Sequence, residues 1–206
     1  MTDFKHRIRI FTGLMLAAVL LTGCQTTPNN PIARANPQDP QNQSGSEAYD
    51  EQELTTIIST HLGVTAESAA TAIERIFKDS GQPVGYITGE EGGAALAVGV
   101  RYGKGTLWMK TGDTQKVYWQ GPTIGFDVGG DASKVFTLVY GLKDPDDLFR
   151  RFPGIDGSAY LVAGIAVNYQ QVDDVTLVPI RSGVGLRLGA NAGYTKYSRK
   201  RRYLPF

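Results

Sequence analysis

Twenty-one of the 25 glycines fall between residues 81 and 193, where they punctuate short runs rich in β-branched and aromatic residues. A chain cut this often by glycine cannot build long helices there, because glycine is costly inside a helix and marks turns, bulges and close backbone approach in sheets. The runs are Val84–Gly89, Ala94–Tyr102, Thr106–Lys110, Lys116–Gln120, Thr123–Val128, Lys134–Tyr140, Tyr160–Tyr169, Val175–Ile180 and Val184–Gly193. Many short strands at this spacing predict an all-β barrel or sandwich. Gly99, Gly125 and Gly164 inside the runs are candidate barrel corners.

Several runs are apolar on both faces. Val135, Thr137 and Val139 point one way, and Phe136, Leu138 and Tyr140 the other. A barrel with a wet outside alternates more cleanly, so something must cover part of its outer wall. The candidates are two short helices just upstream. Glu51–Thr60 is one, with Leu54, Ile57 and Ile58 along one side and Gly63 as its breaker. The other starts after Thr65 as N-cap, carries Ala69, Ala70, Ile73, Ile76 and Phe77 at helical spacing, and ends at Gly81 and Pro83. It reads as a lid or plug on the strands. A third short helix interrupts the β region over Asp144–Arg151, with Asp144 as cap and Pro145 in its first turn. The predicted fold is mainly β: a small Gly-rich β-barrel of about eight strands with two short N-terminal helices and one short inserted helix.

The first 23 residues have the layout of a secretory signal. A basic head (Lys5, His6, Arg7, Arg9) precedes an apolar stretch to Leu21 that is too short for a stable transmembrane helix. The stretch ends Leu21-Thr22-Gly23-Cys24, which resembles a bacterial lipobox. That resemblance implies a diacylglycerol on the Cys24 thiol, cleavage before Cys24, and a further acyl chain on the new amino group. Two or more chains anchor firmly where one is marginal. Gln25, rather than Asp, follows the cysteine, which by analogy favours the periplasmic face of the outer membrane. Residues 24–50 are the lipidated cysteine and a linker of Gln, Asn, Pro, Ser and Asp, with Ile32 and Tyr49 as its large apolar residues. Such a composition predicts a disordered tether. Residues 51–206 form the predicted barrel domain.

Charges nearly balance, with a formal net of +1 for the whole chain, so there is no global electrostatic mandate for nucleic acid. The mature chain keeps only His61, expected as a turn or capping residue, and only Cys24, so neither a zinc site nor a serine–histidine triad is legible. No metal and no cofactor is predicted. Glu90 and Glu91 read as an exposed hairpin tip, their side chains on opposite faces. The aromatic residues Tyr102, Trp108, Tyr118, Trp119 and Phe126 are candidates either for barrel filling or for a cleft that holds a lipid chain or glycan ring. The C-terminus places five basic residues in seven over Lys196–Arg202. Arg199, Lys200, Arg201 and Arg202 are candidate contacts to anionic lipid phosphates or an acidic partner, with Tyr203, Leu204 and Phe206 as apolar anchors.

Read in order, several motifs resemble one family. They are Gly89-Glu90-Glu91-Gly92-Gly93-Ala94-Ala95-Leu96, Arg101-Tyr102-Gly103-Lys104-Gly105-Thr106-Leu107 and Tyr118-Trp119-Gln120-Gly121-Pro122-Thr123-Ile124-Gly125-Phe126-Asp127. Phe152-Pro153-Gly154-Ile155-Asp156-Gly157-Ser158-Ala159-Tyr160 and Pro179-Ile180-Arg181-Ser182-Gly183-Val184-Gly185-Leu186-Arg187 follow. The family is that of the proteobacterial envelope integrity proteins typified by EipA, and the match runs over roughly residues 52–206. It implies a small periplasmic β-barrel, a role in resisting envelope stress and no established catalysis. A typical member resembles a freely soluble periplasmic protein, so the lipobox is a departure. A weaker similarity to SYLF lipid-binding domains rests on Gly103-Lys104-Gly105-Thr106-Leu107 and Trp119-Gln120-Gly121-Pro122. The expected function is a lipid-anchored, non-catalytic factor that binds an envelope lipid, a glycan or an assembly protein. The alternative is an enzyme on envelope lipid or peptidoglycan using carboxylates such as Glu90, Asp127 or Asp131.

Overall fold

The structure is a computed structural model that describes residues 47–127, 133–155, 157–182 and 193–202, apart from the side chains of 94–98 and 123–127. Cys24, its lipobox and most of the linker lie outside the described residues, as do the 184–192 run and the tail from Tyr203.

Two helices open the domain. Helix α1 spans Glu51–Leu62 and α2 spans Ala66–Ser80. Asp50 caps α1 by accepting from the Glu53 N–H at 2.8 Å, and Thr65 caps α2 by accepting from the Ser68 N–H at 3.1 Å. Gly63 ends α1 in a left-handed conformation, φ 69°, that favours glycine. Tyr49, which composition grouped with the linker, is buried and joins the core with the helices, its N–H donating to the Pro83 carbonyl.

The strands are β1 Gly85–Met109, β2 Thr114–Asp127, β3 Ser133–Tyr140, β4 Arg151–Pro153, β5 Tyr160–Val162, β6 Ile165–Val167, β7 Gln170–Val172, β8 Val175–Ser182 and β9 Tyr194–Ser198. They form one antiparallel sheet in the order β4-β9-β2-β1-β3-β8-β6-β5, with β7 on β8. The nine strands differ from the expected set for definable reasons. Three predicted runs merge into β1, and two into β2. A straight strand of β1's length would extend about 80 Å, but β1 returns on itself. Gly85 lies against Met109, Gly89 against Gly105 and Gly93 against Arg101, and the Lys110 N–H donates to Val84 O at 2.9 Å. Its first arm pairs with β3 and its second with β2. The predicted run Tyr160–Tyr169 instead breaks into the β5–β6 hairpin at Ala163 and Gly164, which both have positive φ, as a two-residue hairpin turn requires. The inserted helix is one 3-10 turn, Pro145–Leu148, capped by Asp144.

The sheet curls. A bridge between Gly154 and Gln170, with the Ile155 N–H donating to Tyr169 O at 2.9 Å, joins the β4 side to β7 and brings the path back on itself. The barrel-like curl makes two cores. Inside it lie Ile87, Leu107, Val117, Trp119, Val135, Val139, Leu148, Phe152 and Leu177. Outside β3, β8 and β6, the helices bring Leu54, Ile58, Ile73 and Ile76 onto Phe136, Leu138, Ile165, Val178 and Ile180. The two faces of β3 divide as the alternation predicts. The helices therefore clad an outer wall; they do not plug the interior. His61, in the last turn of α1, belongs to this cladding. Its Nε2 lies 3.0 Å from Val135 O and 3.2 Å from Gly89 O, so it is an Nε2–H donor to backbone.

Candidate functional site

The register sets the site. On β2, Val117 and Trp119 turn inward and are buried, so Tyr118 and Gln120 turn outward. Tyr118 is paired with Lys104 on one side and Ser198 on the other, and Gln120 with Tyr102 and Lys196. After Ser198, whose hydroxyl donates to Lys200 O at 2.9 Å, the chain returns over this outer wall. A cleft of about 200 Å³ results, lined by Glu90, Tyr102, Lys104, Tyr118, Arg201 and Arg202, with Gln120 and Ser198 buried at its floor. It combines aromatic faces, three cations and one exposed carboxylate, a set that suits a ring-bearing anionic group.

Directly behind it, inside the curl, is a buried ionic network. Glu91 is buried, although the reading as an exposed hairpin tip placed it in solvent. The reason is alternation: Ile87, Gly89 and Glu91 share the inward face, and the partners that stabilise an inward carboxylate come from distant strands. Arg181 on β8 donates to both Glu91 oxygens, from Nε at 2.5 Å and Nη2 at 3.2 Å. Trp119 Nε1 donates to Oε2 at 2.9 Å. Burial alone would raise the Glu91 pKa, but Arg181 and Arg101, with the hydrogen bonds of Arg181 and Trp119, bring it down to about 2. Arg101 donates to Thr195 Oγ1 at 3.0 Å, and Gln170 Nε2 donates to the same oxygen at 2.8 Å. Burial pushes the Tyr197 phenol up to about 12. The indole of Trp119 lies flat on Gly103, where an added Cβ would overlap it. This network holds a buried ion pair that stays charged near neutrality.

The structure brings Tyr118, Trp119, Arg201 and Arg202 to one cleft. Trp119 is there as a buried residue, hydrogen-bonded to Glu91. Trp108 lies elsewhere: it is 39% exposed, stacks on Tyr86 at 6.3 Å and donates to Thr88 Oγ1 at 2.9 Å. Arg199 leaves the basic group by pairing with Asp146 and lying over Phe149, 4.9 Å from its centroid. Lys200 is exposed. Phe126 and Asp127 are paired through their backbone to Leu96 and Ala95, but their side chains, and all of Asp131, lie outside the described residues. Lys104, Glu91, Arg101 and Arg181 were not singled out as site residues from sequence. For Glu91, Arg101 and Arg181 the available signal is charge at positions where alternation demands an inward side chain.

Among the described residues, no group of three or more His, Cys, Asp or Glu comes together as a metal site, and no helix is long and apolar enough to cross a membrane.

A family model described as envelope integrity protein A (EipA) matches residues 47–206. A solved structure, a beta-barrel-like, uncharacterised protein from Brucella abortus, superposes with a TM-score of 0.72 at 42% identity, over 78% of this chain and 100% of that one. No curated protein gives a significant match.

Proposed function

The chain belongs to the envelope integrity protein A family, a family named for the cell envelope, and from that premise we propose that it is a lipid-anchored, non-catalytic binding module. Cys24 holds it at the periplasmic face of the outer membrane. The outer cleft takes the head of an envelope lipid, a glycan or a segment of an assembly protein, and that binding supports the envelope. The observation that carries this reading is the cleft itself: Tyr102 and Tyr118 beside Lys104, Arg201 and Arg202 on a wall that neither described helix covers. Glu91 does not act as a proton donor in this reading, because Arg181 and Arg101 hold its carboxyl ionised near neutrality.

The experiment is native mass spectrometry of the protein extracted from its own envelope. A co-purifying lipid or glycan that is lost on Tyr118→Ala supports the binding reading. A covalently altered product, formed on incubation with envelope material, contradicts it and favours an enzyme. In the same cells, Cys24→Ser should abolish incorporation of a fatty-acid label and release the protein from the membrane fraction.

A further inference from the structure

The cleft occupies a small part of a larger charged wall. On β2, β4, β9 and the second arm of β1, alternate residues turn outward. These positions present Lys104, Lys116, Arg151 and Lys196, and the returning tail adds Arg201 and Arg202. Among the described outward residues of these strand segments none is a carboxylate; Glu90, on the first arm, lies at the margin. Tyrosines interleave with the cations. Tyr118 is paired with Lys104, and the Arg151 guanidinium lies 4.8 Å from the centre of the Tyr194 ring. The helical cladding has the opposite character. Its exposed acids, Asp50, Glu51, Glu67, Glu74 and Asp79, outnumber its exposed cations, Arg75 and Lys78. The described charges are thus unevenly shared between the two walls, with cations prevailing on one and acids on the other.

We propose that this wall, bare of helices among the described residues, docks flat on the phosphate headgroups of an anionic bilayer, with the helices turned away from it. Charge complementarity selects the partner, and the tyrosines select a membrane interface within that class, because their rings place an apolar body and a polar edge at headgroup depth. The inference rests on the reading of this protein as a lipid-anchored envelope module: an anchored domain meets the surface as an intramolecular event, so modest contacts suffice to orient it. It differs from a basic-tail contact in its residues. Arg199 is engaged by Asp146 and takes no part, and strand lysines far from the tail in sequence do.

The test uses the full chain carrying Cys24→Ser, so that no acyl chain reports binding, with vesicles of phosphatidylcholine alone or containing one-third phosphatidylglycerol. Binding is expected to the anionic vesicles only, falling as salt screens the contact. The triple variant Lys116→Gln, Arg151→Gln, Lys196→Gln, none of which lines the cleft, should bind about a hundredfold more weakly, from about fivefold per residue. Arg199→Gln should bind as the parent does. Retained melting temperature shows that the variants fold. Equal binding to both vesicle types, a triple variant that binds as tightly as the parent, or a loss on Arg199→Gln as large as that of the triple variant each overturns the proposal. So does an acidic polysaccharide that competes fully at matched charge, since the wall then reads a polyanion. The cleft is judged separately: a ligand that co-purifies with the triple variant keeps the binding reading when docking fails.

Discussion

The two outer walls of one curled sheet have opposite fates. Over β3, β8 and β6 the outward residues are Phe136, Leu138, Val178 and Ile180, and two helices bury them. Over β2, β9, β4 and the second arm of β1 the outward residues include Lys104, Lys116, Tyr118, Arg151 and Lys196, with Gln120 and Ser198 buried under the returning chain, and neither described helix clads them. Both walls share the same interior and the same hydrogen-bond ladder. The difference teaches that the helices are there because of the outward side chains of three strands. Burial on the first wall stabilises the fold. Charge on the second is available for recognition.

Substitutions on the two walls should separate these roles. The largest effect is expected in the clad wall. Phe136→Ala removes a fully buried ring between sheet and helices and should destabilise by about 4 kcal/mol in urea unfolding. A loss under 1 kcal/mol would erase the distinction between the walls. Glu91→Gln comes next, at about 3 kcal/mol, because it leaves the Arg181 and Arg101 charges buried without their counter-ion. Glu91 also gives the comparison a pH signature. Its folded pKa, about 2, lies below the ordinary 4.5. Its stabilisation is therefore complete above about 4.5 and is lost as pH falls through that window toward 2. Acid titration of wild type should show this limb, and the Glu91→Gln variant should lack it. Gly103→Ala should cost about 2 kcal/mol, since a methyl there meets the Trp119 indole inside the bare wall. Thr65→Ala removes the α2 cap and should cost about 1 kcal/mol by thermal melting. Lys116→Gln, fully on the bare wall, should change stability by less than about 0.5 kcal/mol.

Sequence alone exposes the clad wall and conceals the bare one, for physical reasons. Apolar residues on both faces of Lys134–Tyr140 announce a covering layer, and the apolar stripe of Glu51–Thr60 and the cap Thr65 announce what covers it. Local alternation and local capping are written in neighbouring residues. The return within β1 is not, because glycines spread along both arms permit close approach without a marked turn. Strands β4 and β7 have only three residues each, too short for any periodicity. The ion pair of Glu91 joins positions 90 residues apart, so its partner is visible only after folding. In the cleft, Tyr118, Arg201 and Arg202 were legible as chemistry; their meeting depended on β9, which continues the sheet into what composition shows as a basic tail. Arg199 pairs with Asp146, while Arg201 and Arg202 line the cleft with Tyr118.

The most direct test of the division between walls is hydrogen exchange on the full-length, lipidated protein, first in neutral detergent micelles and then in vesicles containing phosphatidylglycerol. The account expects added protection in the anionic vesicles over 102–106, 116–120 and 194–198, with exchange in α1 and α2 unchanged. Protection that appears instead over α2, or a pattern identical in the two environments, would contradict it.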